Sequence, residues 1–309
     1  MEEKDYLFLE IGTILNNRYQ VEKILGERSN FSIVYKGIDL YTKDIVAIKE
    51  FFPKNIVLRD MDRKTVICKN SCFENKLFLE IDNFLNEGET LTLLKNRGIV
   101  NCLDYFKENG TAYILMQYHN GDGLEKQIQN NEFCDCFSFL DKIIIPLIDS
   151  INFIQKKGYL HRDIKPSNII IENNHPVLLD FGSAIKYSEK KDKKILVTPG
   201  FSPLEFYSEK SYQNESSDIY SIAAMIYYFI SGNTPPEATC RIIEDNLDTL
   251  EQYNLPFLLE KLIIKNLSLN EKNRDKSLKK IKYTIKFILI TEKFKNIFVK
   301  NLVPKVKKA

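Results

Sequence analysis

Two short stretches carry a dense set of reactive side chains. His161-Arg-Asp-Ile-Lys-Pro-Ser-Asn168 puts an imidazole, a guanidinium, a carboxylate, an ammonium and an amide into eight residues, and Asp180-Phe-Gly182 begins 12 residues after Asn168. A third group stands far upstream: Ala47-Ile-Lys49, a lysine at the end of a β-rich run. Carboxylate and amide oxygens suit a hard cation, an ammonium suits phosphate oxygens, and a carboxylate can accept a proton. Each piece alone has a plainer reading. Asp-Phe-Gly by itself is more often a turn, and a strand-end lysine is usually a solvated charge. The weight lies in their joint occurrence, in order, in two dense motifs.

These groups need a scaffold, and the hydrophobic periods describe one. Residues 19–25 largely alternate, and 33–38 and 45–50 are β-rich runs separated by a polar turn at 39–44, which predicts an antiparallel meander carrying Lys49. From Leu77 the period changes. Leu77, Ile81, Phe84, Leu85 and Leu91 fall at helical spacing with Gly88 on the same face, and Gly98 closes the segment. Strands are expected again over 99–106 and 112–118, with Lys107-Glu-Asn-Gly110 as their turn. Between them and the meander, Val57-Leu-Arg59 and Thr65-Val-Ile67 flank Asp60-Met-Asp-Arg63, which reads as a small added hairpin. After Gly121 the texture is helical, over 137–157, 216–231, 256–267 and 277–290. Strands first and helices later make an α+β chain of two lobes, with a hinge near 118–123 where Asn120-Gly-Asp-Gly123 breaks both periods.

Composition agrees with this and excludes several classes. At roughly 150 residues per domain, 309 residues suggest two domains or one bilobal unit. Hydrophobic residues at 44% and charged residues at 28% exclude disordered and fibrous chains. Lys plus Arg total 44 against 42 for Asp plus Glu, so no global imbalance points to nucleic acid or a membrane surface. The imbalance is local: residues 279–309 hold ten Lys and one acid, Glu292, leaving the rest net acidic by about seven. The basic tail, 293–309, reads as a solvated terminus, with an acidic partner or an anionic surface as the alternative. Lys190-Lys-Asp-Lys-Lys194 reads as a solvated loop, or as a bias toward acidic substrates. The six Cys lack paired zinc spacing and are expected to be free and buried. The N-terminus is no signal peptide, and the longest strongly apolar stretch, 222–230, is too short for a membrane span. The expectation is a soluble cytoplasmic protein.

In their order, the three motifs resemble the signature set of the protein kinase family, and the resemblance covers roughly residues 16–290. It implies a bilobal fold with a small antiparallel β-rich N-lobe carrying one main helix and a larger, mostly helical C-lobe. The boundaries would be a lead segment 1–15, an N-lobe 16–118 with an insertion at 51–76, a C-lobe 119–292 and the basic tail. It also implies transfer of the γ-phosphoryl of Mg-ATP to protein hydroxyls, with Asp163 as base and Asn168 and Asp180 as ligands to Mg²⁺. Lys49 would hold the α- and β-phosphates, with Glu87, in preference to Glu89, as its helix partner. Lys165, two residues after Asp163, is the serine/threonine form of the loop, and its ammonium could neutralise the transferring phosphate. Thr198-Pro-Gly-Phe-Ser-Pro-Leu-Glu205 looks like the end of an activation segment, with Leu204 replacing a proline. Thr198 would bond the catalytic Asp, Glu205 would pair with Arg274, and Asp218 would accept from the catalytic-loop backbone. Ala47-Ile-Lys-Glu-Phe-Phe-Pro53, and Asp218-Ile-Tyr-Ser221 with Thr234-Pro-Pro236, resemble more narrowly the bacterial, eukaryotic-like serine/threonine kinases. By register, Met116 would be the gatekeeper and the backbone of Gln117 and His119 would meet the adenine edge. Val34 and Ala47 would lie above the ring and Ile170 below it, with the His119 ring facing solvent.

One stretch departs from the pattern. Where the family has Gly-x-Gly-x-x-Gly-x-Val, this chain has Leu25-Gly-Glu-Arg-Ser-Asn-Phe-Ser-Ile-Val-Tyr35. Only Gly26 remains, with Arg28 or Ser29 at the second position, Ser32 at the third, and one apparent inserted residue. Glycine is scarce overall, 12 in the chain, about 4% against a usual roughly 7%. Fewer close backbone approaches imply a looser grip on ATP. Two alternatives follow: a pseudokinase acting as a nucleotide-binding or scaffold module, and a small-molecule phosphotransferase with the same lobes. Against the first stand Lys49, Asp163, Asn168 and Asp180, all present. Against the second stands the segment from Thr198 to Glu205 with a partner such as Arg274.

Overall fold

The computed structural model describes residues 7–187 and 195–302, with backbone alone at 27–29 and 296–302. The lysines at 190–194 and the last part of the basic tail, 303–309, lie outside the described residues. The chain divides into two units, Met1–Asn120 and Gly121–Ala309.

The first unit is a six-stranded antiparallel sheet with one long helix. Its strands are β1 (Ile14–Leu15), β2 (Tyr19–Ser29), β3 (Ser32–Asp39), β4 (Ile45–Phe51), β7 (Cys102–Glu108) and β8 (Thr111–Gln117), in the order β1-β2-β3-β4-β8-β7. Alternation puts Ile33 and Tyr35, and Val46 and Ile48, on faces where they are almost fully buried, while the consecutive Tyr113–Leu115 of β8 are buried on both faces of the sheet. The turn between β7 and β8 is Asn109-Gly110, both at positive φ (52° and 71°), the conformation a two-residue hairpin requires. Between β4 and the helix α1 (Glu74–Leu93), strands β5 (Val57–Arg59) and β6 (Val66–Cys68) form the added hairpin. Helix α1 buries Leu77, Ile81, Phe84, Glu87, Gly88 and Leu91. A methyl group on Gly88 would lie 2.9 Å from Tyr105, so the missing side chain lets the helix close onto β7. Each aliphatic group buried this way contributes about 1.5–3 kcal/mol, and a charged residue on such a face needs a partner.

The end of the lead segment, Ile14–Leu15, forms the edge strand of the small lobe's sheet. β1 pairs with Tyr19–Gln20, Leu9 and Leu15 are buried, and the Leu9 N–H donates to Tyr35 Oη at 3.1 Å. The segment is rich in apolar residues, but Leu7-Phe-Leu9, Ile11 and Ile14-Leu15 follow neither a two-residue nor a helical period.

The second unit is mostly helical: α2 (Leu124–Gln129), α3 (Cys136–Phe139), α4 (Ile145–Lys156), α5 (Glu215–Ser231), α6 (Ala238–Ile243), α7 (Phe257–Asn266) and α8 (Leu278–Leu302). Helix α5 is apolar around its whole circumference from Ile219 to Tyr227 and is correspondingly buried. A capping box of Asn214 and Ser217 starts it, and Gly232 in the left-handed region ends it. The single helix expected over 137–157 is interrupted by a π-turn, Leu140–Ile144. Pro146 follows in the first turn of α4, where it has no N–H to return to the preceding turn.

Short strands build the site's frame. β9 (Asp122–Gly123), β10 (Tyr159–Leu160), β11 (Ile169–Glu172), β12 (His175–Leu178) and β13 (Ile185–Lys186) pair antiparallel as β12-β11-β9 and β10-β13. The β11–β12 hairpin is therefore nested inside the β10–β13 pair. Nesting brings the loop between β10 and β11, which carries 161–168, beside the loop between β12 and β13, which carries Asp180.

The cysteines are free, but only Cys102 is buried; Cys72, Cys134 and Cys240 are exposed. Among the described residues, no helix is long and apolar enough to cross a membrane.

Candidate active site

In the first unit, Lys49 Nζ lies 2.8 Å from both Glu87 carboxylate oxygens, with the two side chains only 9% and 3% exposed. Strand register explains the lysine's surroundings. Ala47 stands opposite Met116, Lys49 opposite Val34 and Ile114, and Val34 opposite Gly26, so alternation gathers Gly26, Val34, Ala47, Lys49 and Met116 on one sheet face. Val34 and Met116 are nearly buried, and Gln117 is exposed. The Gln117 N–H donates to Asn101 O at 2.9 Å, so only part of its backbone can serve a ligand. The His119 ring is half-buried with Nε2 shielded from water, against the expectation of a solvent-facing ring. An imidazole has enough apolar surface to pack rather than project.

The hairpin joining β2 and β3 turns at Asn30-Phe31, and β2 meets β3 with three register shifts that absorb the extra length of the loop. Gly26 sits at one of them with φ +132°, a conformation side chains disfavour. Ser32 is the first residue of β3, buried, in register with Ser29 and Phe51.

Sequence reasoning missed a second buried cluster behind Lys49. Glu50, the next residue, points through the opposite face of β4 and pairs with Arg59 of β5 at 2.6 Å. The Arg59 guanidinium also donates to Leu7 O and Lys64 O. Tyr35 and Tyr113 complete the set, their hydroxyls donating to Glu50 at 2.8 and 2.9 Å. Burial beside Glu50 pushes both phenols well above their ordinary pKa. The readable signal was an acid inside the apolar run Ala47-Ile-Lys-Glu-Phe-Phe, which demands a cationic partner.

In the second unit, the Asp163 carboxylate is held from three sides. Lys165 Nζ lies 2.9 Å from Oδ2, Asn168 Nδ2 donates to Oδ2 at 2.7 Å, and Thr198 Oγ donates to Oδ1 at 2.8 Å. Lys165 Nζ also donates to Thr198 Oγ at 2.9 Å, closing a triangle. Asn168 Nδ2 further donates to the Asp163 carbonyl, so its own side-chain oxygen remains an acceptor. Asp180 accepts the Gly182 N–H at 3.0 Å and presents a carboxylate from the neighbouring loop. One amide oxygen and one carboxylate are hard donors of the kind that would hold a Mg²⁺ ion. Among the described residues, no cluster of three or more His, Cys, Asp or Glu offers an all-protein metal site. Ile170 lies on β11 opposite Gly123 and Val177.

Beneath the loop, Asp218 of α5 accepts the N–H groups of His161 (3.1 Å) and Arg162 (3.0 Å). Burial raises the Asp218 carboxyl to about 6, while the backbone N–H groups of Arg162 and His161 pull it back down. Burial lowers His161 to about 4, so its ring is neutral near pH 7 and accepts the Asp163 N–H through Nδ1 at 3.2 Å. His161 packs edge-on against Phe181, and Arg162, at φ +69°, lies over Phe206. Further along, Arg274 forks onto Glu205 at 2.7 and 3.0 Å, with Ser217 donating to the same carboxylate.

Comparison with known proteins agrees with this geometry. The family model for the protein kinase domain matches residues 19–290. A Clostridium acetobutylicum protein named "Probable serine/threonine-protein kinase" is 26% identical over 277 residues, covering 85% of this chain and 39% of the relative. Mouse (Mus musculus) Aurora kinase C is 27% identical over 224 residues, covering 72% and 73%. The solved structure of PpkA-294 in its apo form superposes with a TM-score of 0.78 at 28% identity, covering 92% of this chain and 99% of that one. The chain spans about half or less of the length of the first curated relatives it matches. With its matched region running through both units, this chain belongs to the protein kinase family.

Proposed function

We propose that this protein is a serine/threonine protein kinase that transfers the γ-phosphoryl group of Mg-ATP to hydroxyl groups of protein substrates. The observation that carries the reading is the Asp163 carboxylate, held by Lys165, Asn168 and Thr198 while the Lys49–Glu87 pair is already formed. Asp163 orients the substrate hydroxyl and takes its proton. The hydroxyl oxygen forms a bond to the γ-phosphorus as the bond to the β-phosphate oxygen breaks, and ADP leaves. Lys165 is placed to offset negative charge on the transferring group, and Lys49, fixed by Glu87, holds the α- and β-phosphates. Asn168 and Asp180 would hold Mg²⁺, which neutralises phosphate charge when bound. The face bearing Gly26, Val34, Ala47 and Met116 would take the adenine.

Serine/threonine selectivity rests on Lys165 and on the names of the relatives. The pseudokinase alternative has no support from these residues, since Lys49, Asp163, Asn168 and Asp180 are all present. A transfer assay with Mg-ATP and a generic protein acceptor tests the reading. Phosphoserine or phosphothreonine formed by the wild type, and not by Asp163→Ala, is expected; nucleotide binding without transfer would favour the scaffold.

A further inference from the structure

Helix α8 is apolar on two opposite faces. Leu278, Ile281, Ile285, Ile288 and Leu289 are at most 7% exposed and pack toward α4 and α7. On the far side, Tyr283, Phe287, Ile290 and Phe294 are 68%, 55%, 53% and 58% exposed. At 100° per residue, their spacing of four, three and four puts them on one narrow stripe about 16 Å long, directly opposite the buried set. Folding requires only the inward face. The outer stripe puts on the order of 400 Å² of apolar surface in water, the size at which a patch marks a contact site.

The charge beside the stripe is of one sign. Lys279, Lys286 and Lys293, seven residues apart, run in an exposed row along one flank, and among the described residues none of the three enters an ion pair. The only acid on the helix, Glu292, lies on the inward side, where its side chain is 18% exposed and binds Lys295. Lys280 and Lys282 are already engaged, by Asp275 and Asp149.

This charge pattern selects the occupant. A second copy packed stripe to stripe would bring only lysines to the contact, with no acid on the stripe to meet them. The stripe is also a convex ridge of rings rather than a groove that would seat a partner's side chains. A ridge of Tyr, Phe and Ile flanked by long cationic side chains suits an anionic bilayer surface, where rings enter the headgroup boundary and lysine stems reach outward to phosphates. The geometry points to α8 as a peripheral docking element that holds this protein against anionic membrane. The inference is independent of the catalytic reading, because it uses none of the residues assigned to phosphoryl transfer.

The test is co-sedimentation of the full chain with vesicles of phosphatidylcholine alone and with 30% phosphatidylserine, a composition chosen to be roughly that of an anionic leaflet. Wild type is expected to bind the anionic vesicles at least about tenfold better, and to lose most of that binding when salt is raised to about 0.5 M. Phe287→Glu with Phe294→Glu, and separately Lys279→Glu with Lys286→Glu and Lys293→Glu, are expected to abolish binding with thermal midpoint and phosphate transfer unchanged. Equal binding to both vesicle types, or undiminished binding by the folded variants, overturns the proposal. So does a wild-type dimer in light scattering that Phe287→Glu with Phe294→Glu disperses, since the stripe would then face a second copy. Binding to soluble polyglutamate but not to vesicles overturns it in favour of an acidic protein partner.

Discussion

Arg59 Nη2 lies 2.6 Å from Glu50 Oε2, and neither side chain is exposed to water. The pair ties the added hairpin to the strand that carries Lys49, one residue before Glu50. Removing one partner strands the other charge, whereas removing both charges together is far milder. Arg59→Met is therefore expected to destabilise the protein by about 3–5 kcal/mol. Arg59→Met with Glu50→Gln should recover more than half of that loss. Urea denaturation of both variants measures the difference; equal losses would mean that the pair is not a coupled unit.

Thr198 bridges Lys165 and Asp163 through one hydroxyl. Thr198→Val keeps the shape and removes the bridge, so kcat is expected to fall about 10–100-fold, with KM for ATP and the thermal midpoint nearly unchanged. Thr198→Ser should restore most of the rate. If Thr198→Glu were instead more active than wild type, the residue would be a phosphorylation site and its role at Asp163 secondary.

Two buried groups give opposite pH dependences in one window. His161, lowered to about 4 by burial, binds fewer protons folded than unfolded, so its contribution to stability is lost as pH falls from about 6.5 toward 4. Asp218, raised to about 6 by burial, binds more protons folded, so its contribution grows as pH falls from about 6 toward 3.8. The two partly cancel in the wild type. Thermal midpoints measured from pH 7 to pH 4 should decline less steeply in His161→Phe and more steeply in Asp218→Asn. The same change of slope in both variants would contradict these assignments.

Much of this arrangement was legible in the sequence because it rests on local periods and dense motifs. The alternation of 19–50 reads out the meander, and the spacing of Leu77, Ile81, Phe84 and Leu91 reads out α1 and the face that presents Glu87. Glu205 and Arg274, partners that the family pattern implies, are joined by two hydrogen bonds. What escaped depends on long-range satisfaction of single side chains. Arg59 in a three-residue strand looks like any surface arginine until Glu50, Leu7 and Lys64 surround it. The π-turn before Pro146 is a register change that leaves the hydrophobic period intact. His119 folds its ring inward, which no spacing rule reports.

Gly26 at φ +132° is the one glycine left in the loop over the sheet face that carries Lys49. A Cβ there is unobstructed by neighbours but strained by backbone geometry, at about 1–3 kcal/mol. Gly26→Ala is expected to raise KM for ATP by about fivefold or more, and Ser29→Gly with Ser32→Gly to lower it. Unchanged KM in both would show that this loop does not limit nucleotide affinity.

The central claim is that Asp163 and Lys49 serve one phosphoryl transfer. Radiolabelled transfer from Mg-ATP to a generic protein acceptor tests it directly, comparing wild type with Asp163→Ala and Lys49→Met. The account predicts label on serine or threonine with wild type and at least a hundredfold loss in each variant. Transfer by wild type that survives in either variant, or its absence in a wild type that ATP and Mg²⁺ stabilise against heat, would contradict it.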